Sequence, residues 1–104
     1  MQGSSDSYPP RFLVRYCQNW DGGEQERQTA TDAILAVVPD AVVESKRIDS
    51  YPVRVEIFYL GRNEQIKPLE IWQGPQRNLF RKYAQKREES ILDIQYHVEK
   101  TIRS

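Results

Sequence analysis

The chain has one cysteine, one histidine, no excess of either charge and no long apolar run, and each shortage removes a class of function. A lone cysteine among 104 residues rules out an internal disulfide and a multi-cysteine metal site, and it suits a reducing, intracellular compartment better than a secreted, cross-linked scaffold. Fifteen basic and fifteen acidic side chains cancel, so the positive excess by which general nucleic-acid binders attract phosphates is missing. No apolar stretch approaches the roughly 20 residues that a membrane helix requires. The opening Met1-Gln2-Gly3-Ser4-Ser5-Asp6-Ser7 has neither the charged-then-apolar order of a secretion signal nor an arginine-rich amphipathic face. His97 has no cysteine or second histidine near it to share a metal, and Gly22-Gly23 alone is too little glycine for a phosphate-cradling loop. The expectation is an intracellular protein with no resident metal or cofactor and no membrane span.

What remains is enough for one α/β domain. Residues 1–10 are small and polar and end in Pro9-Pro10, which reads as a flexible tail ahead of a domain over 11–104. Phe12 to Cys17 is apolar on both faces, as a central strand buried on two sides should be, and Asp21-Gly22-Gly23 breaks it. Ala30, Ala33, Ile34 and Val37 then fall on one helical stripe, stopped by Pro39-Asp40. A strand over 41–46 completes a βαβ unit, for which parallel pairing is the default. Val53, Val55, Ile57 and Tyr59 share one face of a third strand. Gly61-Arg62-Asn63 turns it into a fourth over 65–72, which Pro68 assigns to a sheet edge. After Gly74-Pro75 the spacing of Phe80, Ala84, Ile91, Ile94, Val98 and Ile102 predicts one helix over 77–103, about 40 Å long. The expected core is Phe12, Val14, Ile57, Tyr59 and Ile71, with Trp72 at its border.

Three segments carry a resemblance: Val14-Arg15-Tyr16-Cys17, a strand ending on a thiol; Pro39-Asp40, closing the first helix; and Val55-Glu56-Ile57-Phe58-Tyr59-Leu60-Gly61, a strand with a glycine turn. With the β-α-β-β-β-α order, they resemble the selenoprotein W, T and H group, the Rdx-type branch of thioredoxin-like folds, over residues 11 to about 72. The resemblance implies a four-stranded mixed sheet with two helices, the last one longer than the family's. It also implies a redox pair at Cys17 and position 20. Position 20 is Trp20, which carries no sulfur or selenium, so the intramolecular resolution of a Cys-x-x-Cys pair has no second member. The chain is similar also to a second group, the thioredoxin-like accessory subunits of respiratory complexes and mitochondrial ribosomes, which have kept the fold and often lost the thiols.

Two features could therefore carry function. Trp20, in a loop beside two glycines, is of the type enriched at binding hot spots. Arg77, Arg81, Lys82, Lys86 and Arg87 cluster where a helix would begin, and there positive charge opposes the dipole. A docking face for an acidic protein surface accounts for that placement; RNA phosphates would suit it as well, and the plain alternative is a solvated face. Cys17 reads either as a small buried hydrophobe or as a single thiol forming mixed disulfides with a partner's sulfur. The combined expectation is a non-catalytic interaction module, a small subunit of a larger assembly, for which the analogy points to the mitochondrion; the alternative is one-thiol redox chemistry at Cys17.

Overall fold

Alternation in the central strand organises the molecule. The computed structural model describes residues 8–18, 22–49, 52–63 and 66–103. In order they form β1 (Arg11–Tyr16), α1 (Glu24–Val37), β2 (Val42–Arg47), β3 (Arg54–Gly61), β4 (Leu69–Pro75), a 3-10 turn (Gln76–Leu79) and α2 (Ala84–Arg103). The sheet order is β2-β1-β3-β4, with β1 and β2 parallel and the other two pairs antiparallel. This is an α/β architecture with a four-stranded mixed sheet and two helices, compatible with a thioredoxin-like fold.

Phe12 and Val14 of β1, Val55 and Ile57 of β3 and Trp72 of β4 point to the same side of the sheet. There they meet Ala30, Ala33 and Ile34 of α1 and Ile94 and Val98 of α2. Each of the larger apolar side chains gains about 1.5–3 kcal/mol from leaving water. Tyr59 and Ile71, expected in the core, are half-buried and pack against it.

Both helices lie on that one side, which corrects the expectation of a strand buried on two faces. Leu13, Arg15, Glu56 and Phe58 alternate onto the other face, where no helix among the described residues covers them. Arg15 partly shields it, pairing with Glu56 at 3.2 Å and lying 5.6 Å from the Phe58 ring centre. The ordered chain also reaches behind Arg11, because Pro10 is buried and its carbonyl accepts the Val42 N–H. Residues 1–7 of the expected tail lie outside the described residues.

The last two elements depart most from expectation. β4 starts at Leu69 rather than 65, and a bulge at Ile71 lets Trp72 face Ile57 and enter the core. Trp72 is held there by donating its Nε1–H to Asp93 of α2 at 3.0 Å. The terminal helix does not begin at Arg77. Gln76 and Leu79 are drawn into the core, winding the chain into a 3-10 turn, and Phe80 is extended (φ −70°, ψ 141°). The α-helix begins only at Ala84, so its 20 residues span about 30 Å. Neither Phe80 nor the exposed Ala84 belongs to its apolar stripe, in which only Ile94 and Val98 are buried. A run of basic residues against the positive end of a helix gives the chain reason to delay the start.

Candidate functional site

Cys17 follows the last residue of β1 and is 3% exposed. Its backbone is held by a residue 59 positions later in the chain. The fully buried Gln76 side chain accepts the Cys17 N–H at 2.9 Å and donates to the Cys17 carbonyl at 2.7 Å. A primary amide is the side chain suited to this, offering an acceptor and a donor side by side as a neighbouring strand would. On the far side of the loop, Asp49 accepts the Gln18 N–H at 3.4 Å. Asp49 also pairs with Arg47 at 2.9 Å, and that hydrogen bond holds its carboxyl below the ordinary range.

The helix after this loop is closed by its own acid. Glu26, buried in the first turn of α1, accepts the Gly23 N–H. Burial pushes the Glu26 carboxyl above its ordinary value, against the pull of the Gly23 and Glu26 N–H groups. The glycines make room for this arrangement. A Cβ on Gly22 would sit 2.3 Å from Glu26 Oε1, and one on Gly23 2.7 Å from the Cys17 carbonyl oxygen. Gly23 also has φ +144°, which L side chains rarely adopt. The Gly23 N–H at the mouth of α1 is thus taken up by the Glu26 carboxyl. Trp20, the expected second contact residue, lies outside the described residues.

The basic residues are not carried by one helix but divided between two turns and the start of α2. Arg77 lies in the 3-10 turn, Arg81 and Lys82 in the turn after it, and Lys86 in the first turn of α2. All four are exposed, and among the described residues no acidic side chain pairs with them. Arg87 differs from them: it is half-buried, and its guanidinium donates to Thr29 Oγ1 of α1 at 3.3 Å, so it fastens the two helices together. Tyr83, 43% exposed, stacks on Phe80 with ring centres 6.1 Å apart and lies 5.4 Å from Lys82 Nζ.

The outer face of α2 continues this surface. Leu92 and Tyr96, one helical turn apart, are 60% and 58% exposed, beside a shallow concavity of about 580 Å³ lined also by Asn78, Lys86, Glu89, Ser90 and Asp93. Sequence reasoning missed four residues here. Leu92 and Tyr96 are legible as apolar positions off the core stripe. Glu26 is legible as the third helical residue after a glycine cap, but no local signal marks Gln76. His97 pairs with Asp93 at 3.5 Å. Among the described residues no group of three or more acidic, histidine or cysteine side chains is placed to hold a metal, and no helix is long and apolar enough to cross a membrane. In comparisons with known proteins, no family model, no curated protein and no solved structure matches the chain.

Proposed function

We propose that this chain is a non-catalytic, thioredoxin-like interaction module, a small subunit of a larger protein assembly that it joins through the basic turn before α2. The observation that carries the reading is the set of four exposed cations, Arg77, Arg81, Lys82 and Lys86, unpaired by any described acid and bordered by exposed Tyr83, Leu92 and Tyr96. Residues 76–87 contain five basic side chains and no acidic one, in a chain whose total charge is zero. An acidic protein surface with an apolar centre matches that combination, since aromatic and leucine contacts at the centre of an interface supply affinity while charges around it supply orientation. The burial of Cys17, together with the missing sulfur at Trp20, supports a role without thiol turnover. The resemblance to the selenoprotein W group belongs to the same proposal, as does an organellar assembly.

Native purification followed by size measurement tests it. The parent chain is expected to co-elute with a large assembly, and the R77E/R81E/K82E/K86E variant to leave it while keeping its circular dichroism. Turnover of a thiol substrate that is lost in Cys17→Ser overturns the reading in favour of one-thiol redox chemistry. Association that collapses steeply with salt and is released by ribonuclease overturns it in favour of RNA.

A further inference from the structure

The two edges of the sheet are not alike. The β4 edge is guarded: Pro68 precedes it, Pro75 ends it, neither has an N–H to offer, and the bulge at Ile71 interrupts its register. The β2 edge has no proline and no bulge, and Val42 and Glu44 to Arg47 are all exposed. Its backbone polarity is known from its two ends. The Val42 N–H is donated to Pro10 at 2.9 Å and the Ile48 N–H to Tyr16 at 2.6 Å, so residues 42, 44, 46 and 48 turn their polar groups inward to β1. The N–H and C=O groups of Val43, Ser45 and Arg47 therefore point outward, where no described element meets them.

Charged residues on an edge usually deter pairing. Here they select a partner. Antiparallel pairing requires outward-pointing residues to oppose each other, so a twofold axis can pass only through a residue, not between two. A twofold through Glu44 or Lys46 sets like charges against each other. A twofold through Ser45 opposes Ser45 to itself, Val43 to Arg47, and Glu44 to Lys46 twice. The last two are non-hydrogen-bonded pairs, in which side chains come closest, and both residues lie on the helix-free face of the sheet. Among the described residues neither Glu44 nor Lys46 has a partner within the chain.

We infer that the free edge of β2 is a self-association surface, which takes β2 of a second copy of this chain in antiparallel register centred on Ser45. About six main-chain hydrogen bonds form across the axis, and the sheet continues unbroken from one copy to the other. The guarded β4 edges end it, so the product is a closed twofold dimer rather than a fibre. This rests on the strand edge and is independent of the basic turn.

Sedimentation over a range of concentrations, with charge exchange, is the test. The parent is expected to pass from 12.2 kDa to twice that mass as concentration rises. E44K alone and K46E alone each place two like-charge pairs across the axis and are expected to weaken the dimer by roughly tenfold or more. The double variant E44K/K46E is expected to recover it, as is a mixture of the E44K chain with the K46E chain. Both side chains are exposed, and circular dichroism verifies that the variants stay folded. A parent that stays at 12.2 kDa at every concentration overturns the inference. So does a dimer that the single reversals leave intact or the exchange fails to restore.

Discussion

Replacing Gln76 by leucine is the most direct test of how the Cys17 loop is held. The two side chains are similar in volume, so Q76L leaves no large void but removes both the acceptor for the Cys17 N–H and the donor for its carbonyl. Each buried group left without a partner costs about 1–3 kcal/mol, and the two together about 2–6 kcal/mol if the loop stays in place. Relaxation of the loop toward water lowers this to about 2–3 kcal/mol, or roughly 30- to 150-fold in the population of open loop. The assay is the rate at which a maleimide reagent labels Cys17 under native conditions, alongside denaturant unfolding. Labelling is expected to rise by that factor whether the loop opens alone or with the whole domain; an unchanged denaturant midpoint identifies loop opening alone. Q76A adds a cavity and is expected to lose more stability than Q76L. A Q76L chain that labels as slowly as the parent and unfolds at the same denaturant concentration would refute the argument that this amide holds the loop.

Gly23→Ala places a Cβ 2.7 Å from the Cys17 carbonyl oxygen at a φ of +144°; a loss of about 1–3 kcal/mol, read as a lowered melting temperature, is expected. Glu26→Gln keeps the acceptor for Gly23 and removes the titration. The folded chain holds the Glu26 proton to higher pH than the unfolded chain does, so the parent loses stability as pH rises from the ordinary 4.5 through the raised folded value. The stability difference between E26Q and parent is therefore expected to grow in the variant's favour from about pH 4 to neutrality, and a difference that does not change with pH would contradict the burial of that charge.

The elements with a clean local period were legible in the sequence. α1 lies where Ala30, Ala33, Ile34 and Val37 placed it, and β1 and β3 are the central strands that Phe12, Val14, Val55 and Ile57 require. The one-sided sheet was less so. Phe12-Leu13-Val14 looks buried on both faces, and only Arg11 and Arg15, alternating with Leu13, show that its face is open. The start of α2 was illegible because it is decided by contacts far along the chain. Gln76 turns inward to a residue 59 positions earlier, and no periodicity reports a partner at that distance. The basic residues were found from composition, but their setting on two turns and one helix start, with Arg87 committed to Thr29, was not.

Gln76 also has a mechanical consequence. It is the residue from which the basic turn departs, with Arg77 as its immediate neighbour, and its amide is the clasp on the thiol-bearing strand tip. Bonds of 2.9 and 2.7 Å have less than an ångström of slack before they cease to be hydrogen bonds. Pulling the turn outward by that distance breaks both bonds to Cys17, so the basic turn and the strand tip it touches do not move independently while this amide is in place.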